Sequence, residues 1–405
     1  MRDEMKKVPR LRFRGFSEDW ELCKLGRIFD VHTDFVSNGS FQSLKNNVRF
    51  YNDENYAYMI RLQDASNNWR GPWLYTDKHG FDFLKKSTVY ENDILMSDRG
   101  TIGKFFLVPK LDRPMTLSSN AVLLRSSNCN NNFIYYMLNT IDIGNQIKKR
   151  TTPGVQPMIS KTEFKKIITK LPVREEQKKI GDFLKKIDET FTLHQRKLDQ
   201  LKKLKKAYLQ EMFVSINTKN NKVPKLRFAN FEGNWELCKL ENIIEKQIKG
   251  KAKVENLCNG SVEYLDANRL NGGKPIYTKA LPDVSERDII ILWDGSKAGK
   301  VYYGFKGVLG STLKAYQLKE CANSQFIYQQ LLDNQNNIYN NYRTPNIPHV
   351  VKNFSSIFPI WMTSFEEQSQ MADILSNLDN RIILQQNLTD TMISLKKSYL
   401  QNMFI

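Results

Sequence analysis

The chain repeats itself, and the length of the repeat restricts its fold more than any other feature. Val8-Pro9-Arg10-Leu11-Arg12-Phe13 returns 215 residues later as Val223-Pro224-Lys225-Leu226-Arg227-Phe228. The same offset carries Trp20-Glu21-Leu22-Cys23-Lys24-Leu25 onto Trp235-Glu236-Leu237-Cys238-Lys239-Leu240, six identities in a row. Asp98 to Lys104 aligns with Asp294 to Lys300 at an offset of 196, and Thr152-Pro153 with Thr344-Pro345 at 192. Glu175-Glu176-Gln177 and Glu366-Glu367-Gln368 differ by 191, as do Tyr208-Leu209-Gln210-Glu211-Met212-Phe213 and Tyr399-Leu400-Gln401-Asn402-Met403-Phe404. A period near two hundred residues is far too long for a solenoid, so one unit, a domain followed by a helix, is present twice. Its ends match closely while its middle has changed in length.

The last forty or so residues of each unit have helical spacing. Ile180, Leu184, Ile187, Phe191, His194, Leu198, Leu201, Leu204, Tyr208 and Met212 recur mostly in steps of three and four. The second copy reads Met371, Leu375, Leu378, Ile382, then Leu388, Met392, Leu395, Tyr399 and Met403, with Ser364-Phe365-Glu366-Glu367 as a capping box. An apolar seam this long, about 58 Å at 1.5 Å per residue, exceeds one compact core and points to a partner helix. The two helices are expected to form a pair, with His194 and its counterpart Gln385 as polar register residues. The lysine run Lys202, Lys203, Lys205 and Lys206 is expected to be a solvated face.

The middles are mixed α/β or α+β. Short β-rich runs, Asp93-Ile94-Leu95-Met96 and Ile289-Ile290-Ile291-Leu292, alternate with Gly, Asn and Pro turns. Their loops carry Asn, Lys, Arg, Tyr and Trp, as in Asn67-Asn68-Trp69-Arg70-Gly71-Pro72-Trp73 and Lys249-Gly250-Lys251-Ala252-Lys253. Arg and Asn suit phosphate and base-edge hydrogen bonds; Trp69 and Trp73 are read as packing residues. The 61 Lys and Arg outnumber the 43 Asp and Glu, for a net charge of +18, a field that attracts polyanions.

Several classes of function find no support. Apolar runs such as Ile289 to Trp293 are far below the ~20 residues of a bilayer crossing. Met1 to Arg10 has no apolar block after its charges, so a cytoplasmic location is expected. The five scattered cysteines, Cys23, Cys129, Cys238, Cys258 and Cys321, suggest neither a disulfide framework nor a zinc site. Gly295 to Lys300 lacks one residue of a Walker loop and has Val301 in place of the magnesium-binding hydroxyl, so it reads as a tight turn, repeated at Gly100 to Lys104. With no dinucleotide fingerprint, triad or metal cage, the chain is expected to be non-catalytic.

These motifs resemble the specificity subunits of type I restriction-modification systems, and the resemblance covers nearly the whole chain. The family's opening segment is matched twice, at Val8 to Phe13 with Trp20 to Leu25 and again at Val223 to Phe228 with Trp235 to Leu240. Its Asp-Ile-Leu turn ending in Gly-Lys looks like Asp93 to Lys104, and its helix start looks like Pro172 to Gln177. In the second copy Gly295 to Lys300 keeps the turn, whereas Asn120 to Arg125 has only a loose echo in Leu313 to Leu318. The resemblance implies target recognition domains at 19–172 and 234–362, after repeat segments at 1–18 and 214–233. It places the long helices at 173–213 and 363–405, as an antiparallel coiled coil with an internal pseudo-twofold repeat.

The implied function is DNA reading without chemistry. Each recognition domain would read half of a gapped double-stranded DNA target, and the helix pair would set the gap and dock two methyltransferase (modification) subunits. Restriction/translocase subunits would join for cleavage, and S-adenosylmethionine, ATP and Mg²⁺ would be bound by the partner subunits, with no cofactor in this chain. Half-sites on one face of B-DNA lie about 34 to 36 Å apart per helical turn, within reach of ~58 Å helices. Arg61, Arg70, Lys78, Arg99, Lys251, Arg269 and Lys297 are the candidate DNA contacts. Ile180, Leu184, Ile187, Phe191, Leu198, Leu201, Met371, Leu375, Leu378, Ile382, Met392 and Tyr399 are the candidate helix seam. Two other readings stay open: a coiled-coil scaffold without sequence-selective DNA binding, and the specificity module of a related fused restriction-modification enzyme.

Overall fold

The computed structural model describes residues 8–154, 156–216, 222–253, 260–345 and 348–405. The chain divides into two compact units: residues 1–194 with 389–405, and residues 195–388. Each takes in part of both long helices, Arg174–Met212 and Phe365–Asn402, of 39 and 38 residues.

In unit 1 the strands are β1 (Glu21–Lys24), β2 (Val31–Asp34), β3 (Ala57–Ile60), β4 (Tyr75–Thr76), β5 (Thr88–Val89), β6 (Ile94–Met96), β7 (Phe105–Leu107), β8 (Met115–Leu117), β9 (Val122–Arg125) and β10 (Ile168–Leu171). They form sheets ordered β2-β9-β6-β7 and β4-β3-β8-β5, and a β1-β10 ladder. The two central strands of the first sheet, β9 and β6, are covered on both faces, which is why Val122-Leu123-Leu124 and Ile94-Leu95-Met96 read as unbroken apolar runs. On β6, Ile94 and Met96 face a core shared with helix Asn131–Leu138, while Leu95 faces a second core with Tyr58, Ile60 and Leu117.

Unit 2 repeats the plan with β11 (Glu236–Lys239), β12 (Ile244–Lys249), β13 (Val262–Leu265), β14 (Ile276–Thr278), β15 (Ile289–Leu292), β16 (Val301–Tyr302), β17 (Val308–Leu309), β18 (Leu313–Leu318) and β19 (Pro359–Met362). The sheets run β12-β18-β15-β16 and β14-β13-β17, with a β11-β19 ladder. Ile289 and Ile291 face the helical core, and Ile290 and Leu292 the other. The loose echo between β9 and β18 is corrected by register. Ile94 pairs with Leu124 and Ile289 with Tyr316, so Arg125 corresponds to Gln317, not Leu318.

The repeated tryptophan anchors each unit. Trp20 packs on Phe133 and Phe404, and Trp235 on Phe326 and Phe213. The end of a long helix thus closes each core. The preceding backbone is held the same way, Leu11 N–H donating to the Asn402 carbonyl at 2.9 Å and Leu226 N–H to that of Glu211 at 2.8 Å.

Within each unit the two long-helix segments run antiparallel. Phe183 meets Tyr399 and Asp188 pairs with Lys396 in unit 1; in unit 2 Lys205 pairs with Asp379 and Lys202 donates to Gln386. Ile180, Leu184, Leu198, Leu201, Met371, Leu375 and Leu378 are buried, and Ile187, Phe191, Ile382, Met392 and Tyr399 half-buried. The stripe does not pass through Leu388 and Leu395, which are exposed; Gln385 and Thr389 are buried instead. Counting from Ile382, steps of three and four reach 385, 389 and 392, whereas Leu388 is six residues on and turns to the opposite side. Lys205 also departs from the solvated-face expectation, being largely buried in its ion pair, while Lys202, Lys203 and Lys206 are exposed.

At the start of each long helix a buried carboxylate is clamped by the arginine of the repeated opening segment. Arg12 donates to both oxygens of Glu176 at 2.7 and 2.8 Å, and Arg227 does the same to Glu367 at the same distances. The capping box is half formed: Glu367 N–H donates to the Ser364 hydroxyl, while its carboxylate turns to Arg227 and Thr363. The adjacent Gln177 accepts from Asn130 N–H and donates to the Pro172 carbonyl; Gln368 accepts from Asn323 N–H and donates to the carbonyls of Cys321 and Thr363. Removing the arginine strands a buried charge, which costs about 3 to 5 kcal/mol. Arg227→Met is expected to lower the stability of unit 2 by that amount in urea unfolding, and Arg227→Met with Glu367→Gln to recover part of it. A loss below about 1 kcal/mol would show that the pair contributes no more than a surface bridge.

Candidate nucleic-acid interface

The same clasped turn appears at one end of the main sheet in each unit. In unit 1 the β6–β7 connection closes with Gly103 N–H on the Ser97 carbonyl and Ser97 N–H on that of Lys104. Gly100 and Gly103 both have positive φ, +69° and +74°, which glycine adopts without strain. A second segment grips the turn: Gly100 N–H donates to the Pro157 carbonyl and Ile159 N–H to that of Asp98.

Unit 2 builds the same clasp. Gly299 N–H reaches the Leu292 carbonyl, Gly295 N–H the Pro348 carbonyl, and Val350 N–H that of Trp293. Gly295 and Gly299 again have positive φ. Arg343 adds a contact to the Ser296 carbonyl at 3.3 Å. The repeated Gly-Lys sequences are therefore hairpin turns, and backbone N–H groups that a phosphate loop would aim at its ligand are used inside the protein. The Thr152-Pro153 and Thr344-Pro345 repeat opens the gripping segment.

The candidate cations are placed differently from one another. Arg99 lies on the unit 1 turn, 57% exposed and 3.6 Å from Asp98, beside a cavity of about 90 Å³ also lined by Asp34 and Asn120. Lys297 is on the matching turn and Lys251 follows β12, where Ala252 bridges to Gly310; both are exposed. Arg70 is exposed in the loop after β3. Lys78 is exposed on its short helix, its pKa raised by the neighbouring Asp82. Arg61 and Arg269 are committed to carboxylates instead. Arg61 clamps Asp64 and donates to the Pro72 carbonyl at 2.6 Å, and Arg269 is bonded to Glu263 and lies over the Phe305 ring. Trp69 and Trp73 pack against the second core of unit 1, Trp73 stacking obliquely on Tyr58.

Sequence reasoning missed Lys314, because a lysine inside an apolar strand pattern looks like an interruption. It sits on β18 with its ammonium over the Trp293 ring, 3.3 Å from the centroid. Burial, then the neighbouring charge of Lys249, lowers its pKa. It also missed His32 on β2, whose ring packs edge-on to Phe164. Burial, then Lys161 and Lys165, lowers the His32 pKa to about 4, so the ring is neutral at neutral pH. Among the described residues no cluster of His, Cys, Asp and Glu could hold a metal ion, and no helix is long and apolar enough to cross a membrane. Cys23, Cys129, Cys238 and Cys321 are free thiols; Cys258 lies outside the described residues.

Comparison with known proteins agrees with this duplicated plan. The model of the type I restriction modification DNA specificity domain matches twice, at residues 17–203 and 232–392. The chain is 31% identical over 180 residues to the type I restriction enzyme MjaVIII specificity subunit of Methanocaldococcus jannaschii, a match covering 42% of each chain. The match thus spans less than half the length of that relative. Among solved structures, the S subunit of a type I restriction-modification system from M. genitalium superposes with a TM-score of 0.67 at 16% identity, over 98% of this chain and 99% of that one, a likeness of fold.

The histidine gives a pH prediction. A folded pKa near 4 against about 6.5 unfolded means that, as pH falls below 6.5, the unfolded chain takes up the proton first. The stabilisation is complete above pH 6.5 and is lost toward pH 4, amounting to about 2 kcal/mol between pH 7 and pH 5. His32→Gln should flatten the fall of unit 1 stability over that range. An unchanged pH profile would mean that His32 titrates normally in the folded chain.

Proposed function

Because the chain belongs to the family of type I restriction-modification DNA specificity subunits, we propose that each of its two units reads one half of a bipartite, gapped DNA target. The family is non-catalytic. In this reading, methylation and cleavage come from modification and restriction subunits, which bind S-adenosylmethionine, ATP and Mg²⁺, while this chain decides where they act. The observation that carries the reading is the clasped turn built twice from backbone hydrogen bonds, each bearing an exposed cation, Arg99 or Lys297. A rigid turn at the end of a sheet can present a side chain to a groove without first being ordered.

Arg70, Arg99, Lys251 and Lys297 are the proposed direct contacts. Arg61 and Arg269 are proposed to brace the loops that carry them, since their guanidinium groups are engaged inside the protein. Lys78 is proposed as a phosphate contact that exchanges Asp82 for DNA. The long antiparallel helices would set the length of the gap and carry the modification subunits.

Two experiments test this. Binding of the assembled modification complex to its target should weaken steeply with salt, and Arg99→Ala or Lys297→Ala should each reduce the log–log salt slope by about 1. A slope unchanged in both variants would remove these residues from the interface. Inserting one helical turn at matched positions of both long helices should change the number of unspecified bases and leave both half-sites as they were. Altered bases within a half-site would contradict the ruler role.

A further inference from the structure

The two units differ at one buried carboxylate. In unit 1, Asp93 ends the turn before β6: Tyr90 N–H donates to its Oδ2 at 2.7 Å and Asp93 N–H to the Tyr90 carbonyl. Arg125 completes the site, its Nε donating to Oδ1 and its Nη2 to Oδ2, both at 2.6 Å, while its guanidinium lies 4.6 Å from the centre of the Tyr90 ring. A planar cation thus sits in a carboxylate fork with an aromatic face against it.

Unit 2 keeps the turn and the acid. Ser285 donates to Asp288 Oδ2 through its N–H at 2.7 Å and its hydroxyl at 3.1 Å, which leaves Oδ1 for a further donor, and Asp288 N–H donates to the Ser285 carbonyl. Asp288 is only 5% exposed. What has changed is the rest of the fork. The position of Arg125 is held by Gln317, and that of Tyr90 by Ser285. Neither replacement brings a positive charge, and the space they leave belongs to a cavity of about 620 Å³. Asp288 and Gln317 line it, with Tyr303 and Phe365 as aromatic surfaces. Arg287 and Lys319 also line the cavity, and with Asp288 and Glu320 they leave its lining close to neutral.

We propose that this cavity is a guanidinium-binding site, in which an arginine side chain of a partner protein, or a small free guanidinium compound, takes the place that Arg125 holds in unit 1. Asp288 would receive the paired N–H groups, and Tyr303 or Phe365 would cover the guanidinium face. A buried carboxylate without a cation is costly, and the sister site shows which cation that fork accepts. The proposal concerns a cation site and does not rest on DNA reading.

The test uses the full chain and agmatine, which carries a guanidinium but no carboxylate, with putrescine as the diamine control. On a chain of net charge +18, saturable uptake of a cation needs a specific acidic site. Calorimetric titration is expected to show saturable agmatine binding, at least tenfold weaker for putrescine, abolished by Asp288→Asn and by Gln317→Arg. The second variant supplies the arginine internally, and should raise Tm by about 2 to 4 °C, which separates a filled site from a misfolded one. If Gln317→Arg also weakens capture of the modification subunits, the ligand is a partner's arginine; if capture is unchanged while agmatine is blocked, it is a small molecule, and the site stands in both cases. No agmatine binding to the parent chain, equal binding of putrescine, or agmatine binding that survives Gln317→Arg would overturn it.

Discussion

A carboxylate buried in the first turn of each long helix is the constraint around which the molecule is arranged. Glu176 and Glu367 are almost fully removed from water, and such a group is tolerable only with a cation and hydrogen bonds in place. The arginine comes from the opening segment of the repeat, the neighbouring glutamine holds the N-terminus of a core helix, and the helix dipole favours negative charge there. One short motif therefore joins three elements that are distant in sequence. The start of each long helix is thereby fixed to the core of its own unit.

Away from this junction the units are free to differ, and they do so where function would require it. The tryptophan, the closing phenylalanine and the antiparallel ladders recur with equivalent partners. The main sheet recurs in order, but its equivalent strands β9 and β18 carry different chemistry. Unit 2 has Lys314 over Trp293 where unit 1 has Val122, and has Gln317 where unit 1 has the Arg125 clamp. A scaffold kept by packing, combined with loops under no packing constraint, can alter what each half reads without altering how the halves are built.

Much of this was legible in the sequence because it was written twice. The repeat and its helical spacing pointed to the two long helices, and the β-rich runs Asp93 to Met96 and Ile289 to Leu292 contain β6 and β15. Three things were not legible. The phase of the second seam beyond Ile382 was hidden because exposed Leu388 and Leu395 imitate a stripe while the true one passes through Gln385 and Thr389. The role of Glu367 was mistaken because a capping box and a buried ion pair use the same residue at the same place. Of the candidate cations, charge alone could not separate exposed Arg99 and Lys297 from Arg61 and Arg269, whose partners Asp64 and Glu263 are revealed only by the folded loops.

The central claim is that one chain carries two independent readers of a split DNA sequence. Its most direct test is genome-wide mapping of methylated bases in cells with and without this gene, together with a chain in which residues 234–362 are replaced by a second copy of 19–172. The account predicts a bipartite gapped motif that vanishes on deletion and becomes a repeat of one half-site in the chimera. A methylation pattern indifferent to the gene, or a single ungapped motif, would contradict it.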